Sequence, residues 1–84
     1  MDGIDFENGI STHYNSEATI DAEMIKRADV CILAADHSKL RRNAFVKIAD
    51  LSVADYIVTA CEIDEEETRV LSEHEISFLN VYAK

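Results

Sequence analysis

Proline and tryptophan are absent, and glycine occurs only twice in 84 residues. So few chain breakers mean few or short loops, and they exclude collagen-like and Gly/Pro-rich disordered classes. No apolar run approaches the roughly 18 residues that a bilayer crossing requires, and no basic, apolar leader pattern opens the chain. A cytoplasmic location is expected. Basic residues are scarce: 8 Lys and Arg stand against 17 Asp and Glu, for a net charge of −9. Gripping a nucleic-acid backbone needs a basic face, so this stretch itself is not expected to do so. The excess of acid otherwise reads as a solvated surface. Cys31 and Cys61 make neither a metal motif nor a disulfide framework, and both read as reduced thiols buried as small apolar side chains.

What is present is globular in character. The chain is 48% hydrophobic and 30% charged, which suits one small domain near the lower limit for a self-sufficient core. Its centre is the run Val30–Cys31–Ile32–Leu33–Ala34–Ala35, which ends abruptly in Asp36–His37–Ser38–Lys39. A short apolar run without polar alternation predicts a strand buried on both faces of a parallel sheet. Ligand sites of such sheets lie just beyond the carboxyl ends of the strands.

Met1 to Asn15 reads as irregular, with turn chemistry at Asp2-Gly3, Asn8-Gly9 and Ser11–Asn15. A loop-like opening of that length suggests a chain that starts in mid-fold. Asn15-Ser16-Glu17 offers a capped helix start, and residues 17–28 form an amphipathic helix. Its rows are Ala18, Ala22, Ile25 and Ile20, Met24, Ala28. Leu40–Asn43 suggests a helical turn capped by Ser38. Ala44–Ile48 is a strand at an edge or running antiparallel, because its connections are too short for a crossover helix. Leu51–Asp55 is a short connection in which Ser52 caps a turn, and Tyr56–Ala60 is a further strand. Asp64 with Glu67 makes a capping box opening a helix over 64–73, and Ser77–Tyr82 closes as a strand. The order predicts an α/β sandwich, with a mostly parallel sheet of about four strands and two main helices.

Candidate chemistry gathers at Asp36–Lys39. A lysine beside a serine and backbone N–H groups can hold a phosphate or carboxylate, while Asp36 can accept bonds from sugar hydroxyls. A plain polar loop after a buried strand is the competing reading. Asp-His-Ser in direct succession cannot adopt triad geometry readily, so serine hydrolysis is not expected. His13, His37 and His74 lack ligand spacing, and no metal or cofactor is expected. Glu17 either reaches a ligand or simply complements the helix macrodipole.

Larger matches lie in Asp2-Gly3-Ile4-Asp5, Gly9-Ile10-Ser11-Thr12, Glu17-Ala18 and Met24–Asp29. They continue through Ala35-Asp36-His37-Ser38-Lys39, Arg42-Asn43-Ala44-Phe45, Leu51-Ser52 and Asp55. In order and spacing these resemble the effector-sensing domain of the DeoR/GlpR family of bacterial transcriptional repressors. The Asp-x-Ser-Lys element is also similar to one in ribose-5-phosphate isomerases. The resemblance implies a Rossmann-like sensor for a phosphorylated sugar, which modulates operator binding by an N-terminal winged helix-turn-helix. It implies a non-enzymatic role, with Asp36, Ser38 and Lys39 in the effector pocket and Gly3, Asp5, Thr12 and Glu17 lining it.

Where the family has an aromatic residue and a glycine after the lysine, this chain has Leu40 and Arg41. The family's sensor domain is longer and opens with strands and a glycine-rich phosphate loop that these residues lack. Residues 1–84 are therefore expected to correspond to the second half of that domain, without the DNA-binding part. Half a sheet leaves apolar edges and a face uncovered, so self-association is expected. A ligand-free oligomerisation module is the first alternative. An isomerase-like enzyme with Glu17 as the general base is the second.

Overall fold

A computed structural model describes residues 1–81. Their elements run β1 (Gly3–Asp5), β2 (Gly9–Thr12), α1 (Asn15–Arg27), β3 (Ile32–Ala34), β4 (Val46–Ala49), a 3-10 turn (Leu51–Val53), β5 (Tyr56–Thr59), α2 (Glu65–Glu73) and β6 (Ser77–Asn80). The strands form two sheets of three. One, in the order β1-β2-β4, is antiparallel throughout, and the other, β3-β5-β6, is parallel.

This corrects the expectation of one mostly parallel sheet of about four strands. The opening fifteen residues are not irregular: they hold a hairpin. Its turn is built by Asp5, whose carboxylate accepts the amides of Glu7 and Asn8, each at 2.8 Å. Gly9 then adopts φ 87°, and a Cβ there would strike the Ala49 carbonyl of the neighbouring strand. Glycine is required on both counts. β4 is antiparallel and at an edge, as its short connections predicted, but it belongs to the hairpin's sheet.

β3 also departs from expectation. Leu33 and Ala35 enter the core, whereas Ile32 is 61% exposed and Val30 is 55% exposed. Only one face of the parallel sheet is covered. The covered face packs Leu33 and Ile57 with Leu71 and Ile76 of the α2 region. Leu40, Leu51 and Ala54, together with Ile4 and Ile10 of the hairpin, complete a single core across both sheets.

The helices follow their local signals unequally. Asp64 and Glu67 form the predicted capping box, with Glu67 N–H to Asp64 Oδ1 at 2.8 Å and Asp64 N–H to Glu67 Oε1 at 3.0 Å. α1 begins two residues before position 17, after Tyr14, and neither Asn15 nor Ser16 supplies a side-chain cap. Of its two apolar rows, Ala18 and Ile25 face the core, while Ile20 and Met24 remain exposed at 60% and 66%. Ser52 lies inside the 3-10 turn, whose cap position is Asp50. Residues 40–43 form no helix, because Leu40 is instead drawn into a parallel bridge with Ile4. Both cysteines are free and half-buried rather than buried, and burial raises the Cys31 thiol pKa. Tyr82, expected in the last strand, lies outside the described residues.

Candidate functional site

The loop after β3 is shaped by its own side chains. Asp36 Oδ1 accepts the Ser38 amide at 2.9 Å and also the Ser38 hydroxyl. The Ser38 hydroxyl and amide hold the Asp36 carboxyl below its ordinary pKa. The Asp36 carbonyl accepts the amides of Lys39 and Leu40 at 3.1 and 3.2 Å, which closes a tight turn. Asp36, His37 and Ser38 are exposed and Lys39 is half-buried. Among the described residues the Lys39 ammonium enters no salt bridge. The Asp36 carboxylate feels the Lys39 charge without pairing directly with it.

Beside this turn, a cleft of about 390 Å3 opens at the carboxyl ends of β3 and β5. It is lined by Ala34, Ala35, Asp36, Val58, Thr59 and Val81, among others. That is where parallel sheets admit ligands, and Asp36 is the predicted site residue that reaches it. A larger hollow, about 510 Å3, lies between α2 and β6. Asn80 lines it, and its Oδ1 is buried without a hydrogen-bond partner. None of the predicted site residues belongs to that hollow.

The other predicted residues have structural partners. Thr12, fully buried, donates its hydroxyl to Asp2 Oδ2 at 2.7 Å. The Thr12 hydroxyl, with the His13 amide, lowers the pKa of Asp2. Asp5 is the hairpin's turn former. Glu17 accepts the Met1 ammonium at 2.9 Å. Gly3 lies directly beneath the segment that follows Lys39, where a Cβ would collide with the Arg42 carbonyl. These four side chains and backbones build the hairpin and helix that support the loop; they do not converge with Asp36, Ser38 and Lys39 as donors around the cleft.

Three further contacts show how the support works. Ile4 N–H donates to the Lys39 carbonyl at 2.9 Å and Arg41 N–H returns to the Ile4 carbonyl at 2.7 Å. Ser11 Oγ accepts the Ala44 amide at 2.8 Å, and Ser11 is buried. The hairpin thus grips the loop at residues 39, 41 and 44. Sequence reasoning quoted Ser11 within a motif but assigned it no role, since a buried serine is legible only through its distant partner.

The family described as DeoR C terminal sensor domain matches residues 1–60. The chain belongs to this family. It is 38% identical over 58 residues to a putative aga operon transcriptional repressor of Escherichia coli O157:H7, covering 69% of this chain and 22% of that protein. The HTH-type transcriptional regulator GlpR of Haloferax volcanii is 35% identical over 63 residues, 75% of this chain and 25% of its own. The uncharacterized HTH-type transcriptional regulator YulB of Bacillus subtilis is 31% identical over 74 residues, 88% and 29% respectively. The DeoR-type chain thus matches between 22% and 29% of the length of these relatives. No helix among the described residues is long and apolar enough to cross a membrane. No group of three or more His, Cys, Asp or Glu among them could hold a metal ion.

Proposed function

We propose that this chain is the effector-sensing part of a DeoR-family transcriptional regulator, with the Asp36–Lys39 turn holding the charged end of a phosphorylated sugar. The observation that carries this reading is the half-buried Lys39, in no salt bridge among the described residues, on a turn beside a cleft at the strand ends. Lys39 supplies a compact positive charge for phosphate, and the ordered Asp36 carboxylate accepts sugar hydroxyls. The Ser38 hydroxyl already donates to Asp36, so its remaining capacity is as an acceptor. Operator binding then belongs to a helix-turn-helix outside these 84 residues, which correspond to the second half of the sensor domain. The role is non-enzymatic, a reading supported by the relatives, which are transcriptional regulators.

Titration calorimetry of the intact regulator that carries this chain, with glucose 6-phosphate, ribose 5-phosphate and the unphosphorylated sugars, tests the reading. Heat with the phosphates alone, abolished by Lys39→Ala, supports it. Equal heats with and without phosphate, or binding that survives Lys39→Ala, contradicts it.

A second reading, association of the chain with its own copy, is favoured by the uncovered face of the parallel sheet. Ile32, Ala34, Tyr56, Leu79 and Val81 are all exposed there, and among the described residues the strands contribute no charged side chain to the face. In a chain of net charge −9, an apolar face without charge among the described residues is a surface on which two copies approach without direct repulsion. The two readings share Ala34 and Val81, which line the cleft as well as this face, so a second copy seated there competes with a ligand for that end of the sheet.

A further inference from the structure

Arg41, on the segment that follows Lys39, has a left-handed backbone. Its φ is 62°, a position that a residue with a Cβ adopts only when its surroundings hold it there. What holds it is visible on both sides. The Arg41 amide donates to the Ile4 carbonyl at 2.7 Å. The guanidinium crosses to α2, where Nε meets Glu67 Oε2 at 2.6 Å and Nη2 meets Glu67 Oε1 at 2.8 Å. Nη2 also donates to the Glu62 carbonyl at 2.8 Å.

Glu67 is itself fixed. It is 8% exposed, and its Oε1 also accepts the Asp64 amide in the capping box. A bidentate, charge-assisted pair on an immobilised carboxylate is strong and directional. The guanidinium therefore joins two loops at the same end of the parallel sheet. One is the turn after β3, which holds Asp36, Ser38 and Lys39. The other is the Cys61–Asp64 segment after β5, which continues from the Thr59 and Ala60 wall of the cleft.

We propose that Arg41 is a positioning residue, clamping the rim loops of the cleft through Glu67 and Glu62 rather than contacting the effector. Its charge is spent on Glu67, which leaves Lys39 as the phosphate partner. The proposal deepens the effector reading and rests on it for its functional meaning. The clamp itself is tested without any ligand.

The test is residue-resolved amide hydrogen exchange on the 84-residue chain and four variants: Arg41→Gly, Arg41→Lys, Glu67→Gln and the Arg41→Gly/Glu67→Gln double variant. Glutamine preserves a capping box, and glycine relieves the left-handed backbone while removing the pair. The amides of Lys39, Leu40 and Arg41 are expected to exchange at least about tenfold faster in each single variant, those of Ile57 and Val58 remaining unchanged. The double variant is expected to add nothing, because both changes break one interaction. Arg41→Lys is expected not to rescue, since an ammonium cannot make the fork.

Unchanged exchange at 39–41 in Arg41→Gly overturns the clamp, as does equal acceleration at Ile57 and Val58, or full rescue by lysine. A parallel titration of the intact regulator that carries this chain with glucose 6-phosphate separates the two ideas. Failure of the wild type to bind contradicts the effector reading, while the exchange result still decides the clamp.

Discussion

The carbonyl of Arg42 occupies the space beside Gly3 that any side chain at residue 3 would fill. The hairpin strand and the loop after Lys39 are therefore in backbone contact, and the loop's shape depends on that approach. In Gly3→Ala the new methyl must displace backbone rather than a flexible side chain. A loss of about 1–3 kcal/mol is expected in urea unfolding. An unchanged midpoint would show that the contact is dispensable.

Ser11 holds the same loop at a second point by accepting the Ala44 amide. Ser11→Ala leaves that amide without its partner in a half-buried setting. The expected loss is about 1–3 kcal/mol, with faster exchange at Ala44 than anywhere in β5. Ser11→Thr keeps the acceptor but adds a methyl in a fully packed place. It is expected to restore the Ala44 amide's protection only in part.

Acid should loosen the link between the rim loops. The Arg41 guanidinium, as the main cause, and the Asp64 amide hold the Glu67 carboxyl below the usual glutamate range. Because the folded value is depressed, this contribution is complete above the unfolded glutamate value of about 4.3. It is lost as pH falls below that point through the folded value. The wild type and Glu67→Gln should therefore differ in urea midpoint at pH 7 and converge toward pH 3. A constant difference across that range would count against the pair's contribution.

The uncovered sheet face should drive self-association. Ile32 is 61% exposed, Leu79 52% and Tyr56 39%. They stand on adjacent strands, since Ile32 is opposite Tyr56 and Leu79 opposite Val58. Burying such a side chain stabilises an interface by about 1.5–3 kcal/mol. Sedimentation at micromolar concentration is expected to show dimers or larger species, and Ile32→Lys or Leu79→Lys should give monomers. A monodisperse wild-type monomer would sink this reading.

The legible parts of the fold were those whose signals are local. Asp64 and Glu67 lie three residues apart and satisfy each other, so their capping box could be read directly. The parallel strands around Leu33 and Ile57 likewise show in short β-rich runs. The hairpin did not show, because Gly3-Ile4-Asp5 and Gly9-Ile10-Ser11-Thr12 carry turn residues and no clean alternation. Their strand state comes from pairing with each other and with β4. Nor did Val30–Ala35 reveal that one of its faces lies open, since an apolar run looks the same whether or not something covers it.

The candidate site divides in the same way. Asp36, Ser38 and Lys39 are adjacent in the chain and stay together in space. Gly3, Asp5, Thr12 and Glu17 lie in the hairpin and helix that carry the loop and do not line the cleft beside it. A motif match does not separate a residue that lines a pocket from one that supports its wall. The role of Arg41 is not legible in the sequence, because its side chain is committed to Glu67, 26 residues away at the start of α2.

The central claim is that the Asp36–Lys39 turn receives a phosphorylated ligand. Its most direct test is an amide chemical-shift titration of the intact regulator that carries this chain with ribose 5-phosphate and glucose 6-phosphate. The account predicts saturable shifts centred on Asp36, Ser38, Lys39 and Thr59, absent with ribose or glucose and absent in Lys39→Ala. Shifts centred instead on Ser72 and Asn80, in the hollow beneath α2, or the same shifts in Lys39→Ala, would contradict it.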